Sequence, residues 1–115
     1  MIRRSSQNIS ALEVEQVVMT TPGIQLAAAV AVPDEYRGEE VKVYVKLEEG
    51  VDQGSVSPEM IIETCEVVLS SYKVPRFIEF IGDFSYTASS KIDKPALIRG
   101  VDDLRAGAWD REATS

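Results

Sequence analysis

Apolar and polar positions along the chain follow two periods, and the places where one gives way to the other outline the elements. "SALE", Ser10 to Glu13, has the form of a capping box, with Ser10 as N-cap and Glu13 at the third helical position. A helix is expected to continue through "ALEVEQVVMTT", with Val14, Val17 and Val18 as its stripe, Leu12 at the flank and Pro22-Gly23 as its stop. "IQLAAAVAV" then reads as a strand. Ile24, Leu26, Ala28, Val30 and Val32 share one face, and the other face is mostly alanine, so something packs close to it. "VKVYVKL" is a cleaner strand, with Val41, Val43, Val45 and Leu47 pointing in and Lys42, Tyr44 and Lys46 pointing out. The polar link "PDEYRGEE" between these runs predicts an antiparallel pair.

After the glycine-containing loop "EEGVDQGSVS", Ser57-Pro58 opens a second helix, with proline tolerated at its first position. Ile61, Cys65, Val68, Leu69 and Tyr72 fall on one face of it, "KVP" ends it, and "RFIEFI" is a third short strand. A short helical turn starts at Pro95, and the tail "DDLRAGAWDREATS" is polar, loose or docked by Trp109 alone. The order predicts an α+β domain: a small antiparallel or mixed sheet of about three strands, two main helices and a short C-terminal helix.

With 115 residues, 44% hydrophobic and 27% charged, the chain makes one ordinary domain that can bury a core without staples. Twelve basic residues against nineteen acidic ones give a net charge of −7, which argues against a nucleic-acid partner. No run reaches the roughly 18 apolar residues of a membrane span. The polar opening "MIRRSSQNIS" does not read as a secretory signal, and a single cysteine allows no internal disulfide. A cytoplasmic protein is the expectation. The absence of histidine excludes Ser-His-Asp and Cys-His sites within the chain and removes the commonest metal ligand; no metal site is expected.

Chemistry is left to lysine, arginine, carboxylates and Cys65. Cys65 lies on the apolar stripe of the second helix, where a buried structural thiol is the default. The pairs Glu13 and Glu15, Asp34 and Glu35, and Glu39 and Glu40 are explained by capping and solvated loops. Arg3 and Arg4 read as an exposed arm, and Arg37, beside Gly38, as a loop charge. The stretch "YTASSKIDKPALIR" stands apart, because it gathers Lys91, Lys94 and Arg99 behind small hydroxylated residues in an acidic chain. Such a loop can carry the Lys91 ammonium onto a phosphate or carboxylate, although the P-loop spacing is absent. A solvated loop lysine is the competing reading, and composition alone favours it.

Four stretches, in order, resemble the C-terminal domain of the adenylate-forming enzymes, which include acyl-CoA synthetases, non-ribosomal peptide adenylation domains and luciferases. "MIRRSSQNISALEVE" is similar to the post-hinge pattern Ile-Lys/Arg-x-x-Gly-x-Asn-Ile-x-x-x-Glu-Val-Glu. "AAVAVPDEYRGEEVKVYVKL" resembles the Val-x-Gly-x-Pro-Asp-x-x-x-Gly-Glu stretch and its following strand. "YKVPRFIEF" is close to the family form, and "YTASSKIDKPAL" resembles Pro-x-Thr-x-Ser-Gly-Lys-Ile-x-Lys-x-x-Leu. The likeness covers nearly all of residues 2–99, leaving 100–115 as a tail. The closing "WDREA" hints at ligases of the carnitine or crotonobetaine type.

The resemblance implies a mobile lid on an ATP-dependent acyl-CoA synthetase. Lys91 matches the lysine that serves acyl-adenylate formation. Ser5, Ser6, Gln7 and Asn8 match the loop lining the pantetheine tunnel, and Arg37 matches a position that meets the CoA nucleotide in some relatives. ATP, Mg2+ and CoA are implied for the full-length enzyme, with none bound to this domain alone. The partners implied are an N-terminal adenylating domain, the carboxylic acid and CoA. Ser6 and Ser90 stand where the family usually has glycine, and a left-handed backbone at either would cost roughly 1–2 kcal/mol. The usual hinge aspartate would precede Met1, so the expectation is a piece of a longer ligase that starts at or just after the hinge and is inactive alone. A lid serving a carrier protein, a free-standing module docking on a separate adenylating subunit, and a purely structural domain are the alternatives.

Overall fold

The Ser10 hydroxyl accepts the Glu13 amide at 3.3 Å, as the capping pattern requires, and starts a helix, α1, over Ala11–Val18. The helix ends before Thr20 and Thr21, whose amides fold back onto Val17 and Val18 in tight turns. Gly23 then takes φ 92°, and a Cβ there would come within 2.8 Å of Val56 Cγ2, so the stop requires glycine. In this computed structural model residues 2–5 and 7–112 are described.

The sheet is larger than the hydrophobic pattern predicts. Among the described residues it has six strands, in the order β2-β1-β4-β5-β6, with β3 also on β4. The strands are β1 (Ile2–Arg4), β2 (Gln7–Ile9), β3 (Ile24–Asp34), β4 (Gly38–Leu47), β5 (Phe77–Phe80) and β6 (Trp109–Asp110). Three of them span three residues or fewer, too short to show a period. β3 and β4 form the expected antiparallel pair, β5 lies parallel on the other edge of β4, and β6 runs antiparallel to β5. β1 meets β4 at Arg4 and Gly38 and forms a hairpin with β2. The fold class is α+β with a mixed sheet.

Val41, Val43 and Val45 face the main core, where Ala27 and Ala29 of β3 leave room for Val14 and Val18 of α1 and for α2 (Pro58–Val68). A register shift between Ile24 and Leu26 turns Ile24 onto this alanine face, so it does not share a face with Leu26, Ala28 and Val30. On α2, Ile61 and Cys65 are buried as expected, but Ile62 is buried and Val68 exposed, because the stripe bends away before the helix ends.

The second face of the sheet is also covered. Phe84, Ile92 and Leu97, the last from the short helix α3 (Lys94–Ile98), pack on Ala28, Val30 and Tyr44. Lys42 and Tyr44, expected to point into solvent, are therefore 1% and 3% exposed. Nor is the tail held by Trp109 alone. Leu104 O accepts from Lys42 Nζ at 2.6 Å, Arg105 binds Asp34, and Arg111 Nε donates to Pro75 O. No helix among the described residues is long and apolar enough to cross a membrane.

Candidate functional site

Residues 84–94 leave the second face and return to it, and Lys91 sits at the turn. Tyr86 and Ile92 form an antiparallel bridge. Thr87 N donates to Lys91 O at 2.7 Å, and Ser90 N donates to Thr87 O at 2.9 Å. The Thr87 hydroxyl accepts the Lys91 amide at 3.3 Å. The hairpin closes through Ser90 at φ 66°, the left-handed position that a three-residue hairpin loop reserves for glycine. Serine here thus carries the strain that its departure from the family pattern implied.

The Lys91 side chain is exposed. Of the five lysines, four are paired: Lys42 with Glu79, Lys46 with Asp83, Lys73 with Glu13 and Lys94 with Glu15. Among the described residues Lys91 has no carboxylate within salt-bridge distance. In a chain of net charge −7, an ammonium held on a tight hairpin and left unpaired is available to an anion from outside.

The other described residues of the predicted site share no hydrogen bond or ion pair with it. Ser5, at φ 48°, follows β1 and donates its amide to Arg37 O at 2.8 Å, so the β1–β2 hairpin and the β3–β4 connection meet there. Gln7 and Asn8 are exposed on β2; Ser6 lies outside the described residues. The structure joins Ser5 with Arg37, and no hydrogen bond or ion pair among the described residues joins either to Lys91.

Arg37 is not the solvated loop charge its position in the sequence implied. It donates to Glu40 at 2.9 Å and to Glu112 at 2.6 Å, which holds its guanidinium more firmly protonated than usual. Glu40, 1% exposed, also accepts from Arg76 at 3.1 Å and pairs with Arg4, which is therefore no free arm. Arg76 forks onto Asp110, and Arg105 reaches Asp34 at 2.8 Å. Burial works to raise the Asp34 carboxyl. The amide of Arg37 and the guanidinium of Arg105 outweigh it and hold the group below its ordinary value. Of these groups, Asp34, Arg37, Arg76, Arg105 and Glu112 line an open cleft of about 540 Å3. Sequence reasoning missed this cluster. Asp34, Arg37 and Glu40 are near neighbours in the chain, but Arg4, Arg76, Arg105, Asp110 and Glu112 are distant, and only the packed sheet and the docked tail bring them to that group.

Cys65 is fully buried, and burial pushes its thiol up to about 11, so it is the structural cysteine the sequence predicts. Among the described residues no group of His, Cys, Asp or Glu is arranged to hold a metal ion.

The AMP-binding enzyme C-terminal domain family matches residues 13–91. A 4-hydroxybutyrate–CoA ligase from Metallosphaera sedula is 36% identical over 90% of this chain and 18% of its own length. A crotonobetaine/carnitine–CoA ligase from Proteus mirabilis is 35% identical over 84% of this chain and 18% of its own. The solved structure of a fatty acyl CoA synthetase from Mycobacterium tuberculosis superposes with a TM-score of 0.77 and 32% identity, over 84% of this chain and 18% of that one. The chain thus spans less than a fifth of the length of these relatives. Relatives at nearly the same identity are named for different acids, so the likeness does not name an acid for this chain.

Proposed function

The chain belongs to the AMP-binding enzyme C-terminal domain family, and from that premise we propose that it is the mobile lid of an ATP-dependent acyl-CoA ligase of the cytoplasm. Residues 1–99 are the lid and 100–115 its tail. Its partner is an adenylating domain that binds ATP with Mg2+ and selects the acid; alone, the chain carries out neither half-reaction. Support for the reading comes above all from Lys91, the lysine left without a carboxylate on a hairpin pinned to the sheet.

In the first half-reaction a carboxylate attacks the α-phosphate of ATP, and both are anionic. An ammonium placed between them offsets the repulsion, stabilises charge in the transition state and orients the attack. Lys91 takes that role. Four of the five lysines are neutralised internally and could not do so without first breaking a pair. In the second half-reaction the lid turns a different surface inward, and Ser5, Gln7 and Asn8 with Arg37 face CoA. Arg37 meets a CoA phosphate by exchanging Glu112, whose side chain is 31% exposed, while the buried Glu40 keeps its hold on the guanidinium.

The test compares wild type and Lys91→Ala in a complete enzyme, with this chain joined to its adenylating domain. Acid-dependent pyrophosphate release should fall about 10²–10³-fold, the loss typical of one preorganised electrostatic contact. Thioester formation from pre-made acyl-adenylate should persist. If both half-reactions are untouched, Lys91 is a solvated turn residue and the proposal fails.

A further inference from the structure

Lys94 opens α3 three residues after Lys91 and is tied where Lys91 is free. Its ammonium lies 2.6 Å from Glu15 Oε2 and donates to Ala29 O at 2.8 Å. The same Glu15 oxygen accepts the Ala29 amide at 2.8 Å. Ala29 belongs to β3, which among the described residues pairs with β4 alone, so its outward backbone groups lie on an open sheet edge. Glu15 from α1 and Lys94 satisfy both of them. The clamp therefore joins three elements: the helix that follows the β1–β2 hairpin, the edge of the sheet, and the segment carrying Lys91.

Between Lys91 and Lys94 the chain is held at two further points. Ile92 packs into the second-face cluster, and Asp93 N donates to Ser85 O at 2.8 Å. The apolar contact of Ile92 resists separation but tolerates sliding along the sheet, and the Asp93–Ser85 bond closes the segment on itself without tying it to the sheet edge. A charge-assisted contact to two acceptors fixes the place along the edge as well. Placement matters for Lys91, because a shift of about 1 Å in a reacting constellation can cost about 10²-fold in rate.

We propose that Lys94, with Glu15 as its anchor, is a positioning residue for Lys91: it fixes the hairpin against the β3 edge and does not itself touch the substrates. This rests on the reading of Lys91 as the adenylation lysine, so two measurements are paired. In the complete enzyme, Lys94→Met should lower acyl-adenylate formation about tenfold or more, the equivalent of losing a charge-assisted hydrogen bond. Thioester formation from pre-made adenylate should be unaffected, and Lys94→Arg should restore most of the adenylation rate. Added to Lys91→Ala, Lys94→Met should cause no further loss. In the chain as it stands, amide exchange at Thr87 and Asp93 should accelerate in Lys94→Met and in Glu15→Gln, while Val43 and Val45 in β4 are unchanged.

A full further loss in the Lys91→Ala background would mean that Lys94 acts directly and would overturn the positioning role. Unchanged exchange at Thr87 and Asp93 would overturn the clamp itself. If Lys91→Ala leaves adenylation intact, the Lys91 reading fails and the catalytic half of this proposal falls with it. The exchange data then still decide whether Lys94 sets the hairpin.

Discussion

Replacing Lys42 by methionine tests how the tail is held to the sheet. The ammonium is nearly sealed off, donates to Glu79 at 2.8 Å and to Leu104 O at 2.6 Å, and lies 4.3 Å from the centre of the Tyr44 ring. Removing one partner of a buried pair typically costs about 3–5 kcal/mol. Here Glu79 keeps a 29% exposed side chain, so water can take over much of its solvation. Methionine also preserves the packing of the lysine stem. What remains is the loss of charge-assisted bonds and an unpaired Leu104 carbonyl, an expected cost of about 2–3 kcal/mol. For a chain of this length that lowers Tm by roughly 8–12 °C. Urea denaturation should show a lower midpoint, and amide exchange at Trp109 and Asp110 should quicken first. Replacing Lys42 and Glu79 together by apolar residues should recover much of the loss, since neither charge is then left unpaired. If Lys42→Met is as stable as wild type, the desolvation of Lys42 already cancels its pairing, and the account of the tail as tied through this lysine is wrong.

Two further outcomes are expected. Ser90→Gly should stabilise the chain by about 0.5–1 kcal/mol, because relief of a left-handed penalty of about 1–2 kcal/mol exceeds the extra freedom glycine gives the unfolded chain. A urea midpoint that falls would show that the Ser90 conformation is unstrained. Asp34, Asp83 and Asp110 are each held below the ordinary carboxylate value of 3.8. For Asp83 the Lys46 ammonium is the main cause, whereas for Asp110 the Arg76 guanidinium works against burial. Lowered folded values mean stability that is present above about pH 4 and lost as pH falls through them. Asp110→Asn should flatten that acid limb when urea midpoints are followed from neutral pH downward. An unchanged slope would remove Asp110 from the account.

Much of the fold is legible in the sequence because the long elements repeat their burial period. The α1 cap, the β3–β4 pair and the α2 start all follow from local patterns. The stretch around Lys91 reads as a loop that carries a cation, but its closure into a hairpin bridged at Tyr86 and Ile92 comes only from the structure. The short strands β1, β2 and β6 are not legible, since three residues cannot display a period; this holds even for the β1–β2 hairpin, whose strands are neighbours in the chain, while the partner of β6 lies far back in β5. Val68 and Ile62 exchanged places for a related reason: a helical stripe gives a direction, and only the neighbouring surface decides how far it stays covered.

The sequence by itself determined the family, the class of fold, the buried Cys65 and the lysine worth testing, because each rests on short local patterns and their order along the chain. Tertiary structure alone decided which charges are free. Lys42 alternates with valines like a solvent-facing residue, yet the segment carrying Phe84 and Leu97 and the returning tail close over that face. Arg37 reads as a loop charge, yet Glu40 and Glu112 hold it. Lys91 and Lys94 lie in one short motif, yet one projects unpaired and the other is locked to α1 and the β3 edge. Whether a cation is neutralised depends on which distant carboxylates the packed sheet brings within a few ångströms, and no local pattern records that distance.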